Sequence, residues 1–179
     1  MSTASEYDAR RLRLLLFEDC NRRCSGCCNK NWNLSSLPVC DNYNGYDQIL
    51  LTGGEPMLVP GLVKRIARDI RNKTGEESDP KIYMYTAKAD DPSALMDVLS
   101  EVDGITLTLH TPKDVEPFRR FNNILNKSWL KHKSLRLNVF KRINIHRPGI
   151  DLSSWKVKEG IEWIDNCPLP EGEVFMRFK

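Results

Sequence analysis

The sequence predicts an α/β protein built on a parallel sheet, an open or partial (β/α)6 barrel. Three observations carry this. Six short apolar or alternating runs are spaced along the 179 residues, and segments with helical periodicity separate most of them. Strands alternating with helices imply right-handed crossovers and a parallel sheet. Six units are too few to close an eight-stranded barrel. A chain of this length reads as one domain over residues 1–179, with residues 1–10 frayed at the start.

The elements follow in order. Leu12 to Phe17 is a nearly unbroken apolar run, as expected of a strand buried on both faces. A cysteine-rich loop comes next, and Asn29 to Asn44 is polar with room for a short helix at most. Gln48 to Thr52 is the second strand and leads into Gly53-Gly54-Glu55-Pro56, a tight turn carrying a carboxylate. Pro60 opens a helix with Leu62, Ile66 and Ile70 at four-residue spacing. Lys73 to Pro80 breaks that pattern before a third strand, Ile82 to Thr86. Asp91-Pro92 starts a helix with Leu95, Val98, Leu99 and Val102 on one face. Ile105 to His110 is the fourth strand, and Phe118, Phe121, Ile124 and Leu125 indicate a helix after it. Leu135 to Phe140 is the fifth strand. Val157, Ile161 and Ile164 fit a short helix, and Glu173 to Phe178 makes a sixth strand.

Composition narrows the class. With 40% hydrophobic and 28% charged residues the chain has the balance of a globular domain. No apolar run approaches the roughly 20 residues of a membrane span, so no membrane partner is expected. Met1 to Arg11 lacks the apolar core of a signal peptide. The six cysteines are bunched rather than spread, which favours a cytoplasmic protein over a secreted disulfide framework. Net charge is only +3, yet Pro117 to Ile150 holds nine Lys or Arg and no acid. That segment is either a solvated surface or a patch for a phosphate-bearing substrate, a nucleic acid or an acidic partner.

The chemistry concentrates in Cys20-Asn21-Arg22-Arg23-Cys24-Ser25-Gly26-Cys27. Three thiols within eight residues on a strand-following loop can face one metal centre, and soft sulfur ligands select zinc, copper(I) or an iron–sulfur cluster. Three is one short of a closed set, so either a fourth protein ligand exists or one coordination position is open for chemistry. In parallel sheets function gathers at the carboxyl ends of the strands. There the cysteine loop, the glycine turn, Thr86, His110 and Asn138 all fall at one edge. Alternation puts Thr106, Thr108 and His110 on one face of the fourth strand, and Arg136 with Asn138 on one face of the fifth. These polar rows either line a cavity or face solvent. His110 is open to three roles: ligand contact, proton donor, or satisfied strand-end histidine. His132 and His146 sit among basic residues and read as surface groups.

Cys20, Cys24 and Cys27 spaced C-x3-C-x2-C after the first strand, with Gly53 to Pro56 after the second, resemble the radical S-adenosylmethionine (SAM) superfamily. The resemblance implies a [4Fe-4S] cluster on the three cysteines, with the fourth iron free for the amino and carboxylate groups of SAM. It implies that the turn of Gly53, Gly54, Glu55 and Pro56 receives the methionine amino group, its glycines allowing close backbone approach. Glu55 would add a charge-assisted hydrogen bond. Reductive cleavage of SAM then gives methionine and a 5′-deoxyadenosyl radical that takes hydrogen from substrate. An electron donor such as flavodoxin or ferredoxin is implied as partner.

Cys24-Ser25-Gly26-Cys27-Cys28-Asn29-Lys30, with Trp32 soon after, is similar to the activases of anaerobic ribonucleotide reductase. These act on a larger glycyl-radical enzyme, carry a glycine where Gly26 stands, and place an aromatic where Cys28 stands. Gly26, Thr86, His110 and Asn138 join the glycine turn as candidate cofactor contacts. An enzyme acting on an anionic nucleotide, or on a peptide, is the alternative. Cys28, Cys40 and Cys167 match no ligand pattern and read as spare or buried thiols, with an auxiliary cluster as the other possibility. A reading from another class is a zinc module for nucleic acid, with Cys28 or Cys40 as fourth ligand.

Overall fold

The computed structural model describes residues 10–74 and 78–179. The expected frayed start therefore lies, but for Arg10, outside the described residues. Seven strands form one all-parallel sheet: β1 Arg11–Leu15, β2 Gln48–Thr52, β3 Lys81–Thr86, β4 Gly104–Leu109, β5 Ser134–Phe140, β6 Lys156–Ile161 and β7 Glu173–Arg177. Their order is β6-β5-β4-β3-β2-β1-β7, so the sheet is open, with β6 and β7 at its edges. Three helices, α1 Pro60–Lys73, α2 Pro92–Glu101 and α3 Val115–Leu125, follow β2, β3 and β4. Strand order from β2 to β5 marches one way, and same-handed crossovers then put every helix on one face.

That face is the core. Leu12, Leu14, Ile49, Leu51, Ile82, Met84, Ile105, Leu107 and Leu137 are all buried beneath Val63, Ile66 and Ile70 of α1, Leu95, Val98 and Leu99 of α2, and Phe118 and Phe121 of α3. Helix starts are set locally. Pro60 and Pro92 open the first turns of α1 and α2, and the Asp91 carboxylate accepts from Ala94 N at 3.0 Å. Beyond β5 the connection is held by Asn122, fully buried on α3. Its amide donates to the Asp151 carbonyl at 2.7 Å and accepts from Trp155 Nε1 at 2.8 Å.

Two expectations are corrected. The segment with Val157, Ile161 and Ile164 is not helical; Lys156–Ile161 is β6, so the sheet has seven strands rather than six. Pairing with the free edge of β5 outweighs a four-residue spacing of apolar residues that only mimics a helix. A regular (β/α)6 alternation is also absent. Among the described residues only β2, β3 and β4 are followed by α-helices, and the cysteine segment holds single 3-10 turns at Cys28–Asn31 and Leu34–Ser36. The last strand, β7, returns to pair with β1.

The second face of the sheet is polar. In-register neighbours share a face, so Arg11 and Arg13 of β1, Gln48 of β2, Tyr83 and Tyr85 of β3, Thr106 and Thr108 of β4, and Arg136 and Asn138 of β5 point away from the helices. At its β1–β7 side a small apolar cluster of Leu15, Leu37 and Phe175, flanked by Trp32, closes this face.

The basic run of residues 117–150 is not one patch. Arg119 pairs with Glu116 on α3, Lys133 reaches the Ser100 and Val102 carbonyls at the end of α2, and Arg136 lies on the polar sheet face. Lys133 thereby satisfies carbonyls that a helix end leaves open.

Candidate functional site

At the carboxyl edge of β1 to β4 lies a cavity of about 330 Å³. Its walls include Cys20, Cys24 and Cys27 from the cysteine loop, Gly53, Gly54 and Glu55 from the glycine turn, Thr86 at the end of β3 and His110 just beyond β4. Pro56, Gly26 and Asn138 are not among the lining residues. Pro56 is buried in the first position of a 3-10 turn, and Asn138 sits lower on the polar face beside Thr108.

Loop and turn are welded through backbone. Gly54 N donates to the Phe17 carbonyl at 2.8 Å, and Glu55 N to the Asp19 carbonyl at 2.9 Å. A Cβ on Gly54 would sit 1.8 Å from the Asp19 oxygen, and one on Gly53 would sit 2.9 Å from the Phe17 oxygen. The glycines are thus required by the chain's own close approach just ahead of Cys20, a different reason from close approach to a ligand. Asn29 adds a third tie, its amide donating to the Gly53 carbonyl at 2.9 Å. Lys30 donates to the Cys24 carbonyl at 2.7 Å. These two bonds give the Asn-Lys pair a local task.

Glu55 is almost fully buried, at 2% exposure. Its Oε1 accepts from Thr86 Oγ1 at 2.5 Å and Met57 N at 3.0 Å, and its Oε2 accepts from Ala87 N at 2.9 Å. One carboxylate therefore caps the turn after the glycines and fastens it to the end of β3. A ligand amine would meet the lone pairs left over, since each carboxylate oxygen offers more than one acceptor direction.

Arg22, inside the cysteine motif, was not singled out by the sequence, yet it organises the loop. Its guanidinium forks onto Asp114 at 2.7 and 3.0 Å and donates to the Ala87 carbonyl at 2.7 Å. Asp114 in turn accepts from His110 N and Thr111 N, both at 2.9 Å. Burial alone would push the Asp114 carboxyl up, but the Arg22 fork and these backbone donors hold it below the usual carboxylate range. The bidentate geometry links the cysteine loop to β3 and to the turn before α3.

The three cysteines carry free thiols. Burial raises the Cys24 thiol above its ordinary value, and neighbouring Cys27 and Cys20 add to this, whereas Arg22 and Lys30 oppose it. Among the described residues no three His, Cys, Asp or Glu side chains converge as a single-ion metal site. All three thiols border the same cavity, and sulfur is a soft donor.

A lid of aromatic residues completes the site, and nothing in the sequence announced it. Trp163 stacks on His110, centroids 5.1 Å apart with planes at 12°, and both rings contact Phe140. A Cβ on Gly26 would fall 2.6 Å from Trp163 Cβ, so Gly26 is needed to let the indole lie over the cysteine loop. Burial lowers the His110 pKa, Arg22 lowers it further, and its buried Nδ1 has no hydrogen-bond partner. His110 is therefore a neutral ring within an aromatic stack.

Cys28 and Cys167 are joined by a disulfide, which corrects the reading of both as spare thiols. Cys40 is buried, its Sγ directed to the Asn42 carbonyl at 3.3 Å. The bridge spans 139 residues and ties the loop after Cys27 to the segment that carries Trp163. Cys167→Ser is expected to lower thermal stability by several degrees in non-reducing buffer, and to quench or shift Trp163 fluorescence as the segment loosens. Identical melting and emission with and without the bridge would show that it holds nothing in place.

No family model matches the chain, and no curated protein matches it.

Proposed function

We propose that the chain is a radical SAM enzyme of partial-barrel type. The observation that carries this reading is that three free thiols of one loop and Gly53, Gly54 and Glu55 of the glycine turn meet at one cavity, on the edge where parallel sheets bind ligands. In this reading Cys20, Cys24 and Cys27 hold a [4Fe-4S] cluster, and the cavity beside the glycine turn takes SAM. The bound cluster would supply the electron that cleaves SAM to methionine and a 5′-deoxyadenosyl radical, which then abstracts hydrogen from substrate.

The chain's own residues prepare that space. Arg22 and Lys30 fix the loop backbone and add positive charge beside thiolates that a cluster requires. Glu55 and Thr86 lock the turn to β3. Trp163 and His110 give the cavity a stacked aromatic wall. A reducing cytoplasm with a flavodoxin- or ferredoxin-type donor is the proposed setting. Disulfides are uncommon there, so the Cys28–Cys167 bond is read as one that thiols can open.

The test is anaerobic reconstitution with iron and sulfide, reduction with dithionite, addition of SAM, and mass spectrometry of the products. Formation of 5′-deoxyadenosine is expected. Zinc bound in place of iron, with no cleavage, would replace the enzyme with a metal-stapled binding module.

A further inference from the structure

Below the cysteine cavity, on the same polar face of the sheet, lies a second cavity of about 120 Å³. It is lined by the lower halves of β1 to β5 and β7, and shares Arg13 and Tyr85 with the cavity above. The two cavities therefore adjoin at these two side chains. In a flat sheet β1 and β5 would stand roughly 19 Å apart, so a small cavity touching both requires a curled sheet.

Its walls are cationic. Arg11, Arg13 and Arg136 line it against one acid, Glu173. Glu173 is spent on Arg13, with Oε1 accepting from Nε at 2.6 Å. Arg136 is exposed and has no ion-pair partner among the described residues. The register extends the charge, because Lys156 stands beside Arg136 and Lys158 beside Asn138 on the same face.

Neutral polar groups there are uncommitted too. Gln48, Tyr83 and Thr106 line the cavity without a side-chain hydrogen bond to any described residue. Inward strand positions in a dry core would be apolar. Here the chain instead keeps unpaired donors and surplus positive charge around one small cavity, an arrangement that a bound anion would complete.

We infer that this lower cavity holds the phosphate group of a nucleotide substrate, with the nucleoside rising past Tyr85 towards the cysteine cavity. Arg13 and Arg136 flank the phosphate, Lys156 and Lys158 attract it at the open β6 edge, and the Tyr83 and Tyr85 rings offer faces to base or sugar. From Arg11 to Leu15 is four residues, about 13 Å along a strand, comparable with the length of a nucleoside monophosphate. A nucleotide fits these dimensions better than a polypeptide, since Arg11, Arg13 and Arg136 converge on one small cavity rather than spreading along a groove. The inference rests on the radical-enzyme reading for the reaction, but not for the binding.

Calorimetry on the full chain, with and without reconstituted cluster, tests it with AMP, GMP, CMP, UMP, the corresponding triphosphates and inorganic triphosphate. At least one nucleotide is expected to bind saturably in both forms. R136Q, at an exposed position that should not disturb folding, is expected to weaken it about tenfold or more. R120Q, on the exposed outer side of α3, should leave it unchanged. Absence of nucleotide binding, equal weakening by R120Q, equal affinity for inorganic triphosphate, or tighter binding of oligo(dT) would each overturn the inference. SAM cleavage without nucleotide binding would remove this inference and leave the proposed activity standing. Nucleotide binding by a chain that assembles no cluster would do the reverse.

Discussion

Cys24→Ala is expected to abolish iron retention and, with it, SAM cleavage, while the protein stays folded. Cys24 lies on a loop at a cavity wall, only partly buried, so truncation removes a donor without hollowing the core. Cys20→Ala and Cys27→Ala should behave alike, because three thiolates are the minimum for the proposed cluster. Cys28 is bonded to Cys167, and Cys40 is buried against Tyr43 and the Asn42 carbonyl. Iron and sulfide analysis after anaerobic reconstitution should fall from about four of each per chain to near zero. Far-ultraviolet circular dichroism should be unchanged. Cys40→Ala and Cys167→Ala should keep the iron and lose only stability, Cys40→Ala by about 1–2 kcal/mol. Wild-type iron in Cys24→Ala would sink the ligand assignment.

Gly54→Val should do more damage than a lost ligand contact. Its Cβ would meet the Asp19 oxygen at 1.8 Å, the Asp19 carbonyl carbon at 2.2 Å and the Glu18 oxygen at 2.4 Å. All three are backbone atoms, so no rotamer change relieves the clash. The hydrogen bonds from Gly54 N and Glu55 N to Phe17 and Asp19 must break as the strands part. A cost of several kcal/mol is expected, on the order of severe overpacking plus two lost bonds. Because Asp19 adjoins Cys20, melting temperature and iron content should fall together. Gly61→Ala in α1, with nothing within 4 Å of the added carbon, is the control and should be neutral or mildly stabilising. If Gly54→Val instead keeps its melting temperature and iron and loses only SAM affinity, the glycine serves the ligand and not the fold.

What the sequence could and could not announce follows from the range of each interaction. Strands β1 to β5 and β7 declared themselves because burial against helices demands continuous or alternating apolar residues, as in Leu12 to Leu16 or Ile82 to Met84. β6 did not. Its Lys-Val-Lys-Glu-Gly-Ile is an edge strand with one neighbour, largely exposed, and edges carry charge rather than apolar pattern. Cys20, Cys24 and Cys27 with the glycine turn were legible as short motifs at strand ends. The partners that give the site its shape were not. Trp163 reaches His110 from 53 positions away, and Cys28 finds Cys167 across 139 residues. No local period encodes such meetings. Arg22 lay in view inside the motif, but its role depends on Asp114, 92 residues on. Gly26 was nominated by resemblance, and its physical reason, room for an indole, emerged only from the packing.

The pairing of β7 with β1 has a consequence for how the molecule comes to exist. Arg13 and Glu173, joined across that pair, are 160 residues apart. A ribosome adding about 5–20 residues per second leaves one edge of β1 unpaired for roughly six to twenty-four seconds after β2 has emerged. The loop bearing Cys20, Cys24 and Cys27 hangs from that half-finished edge throughout. Parallel pairing over such a separation is among the slowest contacts a chain makes. The cysteine loop is thus synthesised early and braced late, an interval in which its thiols stand open to the first metal ion, oxidant or chaperone that arrives.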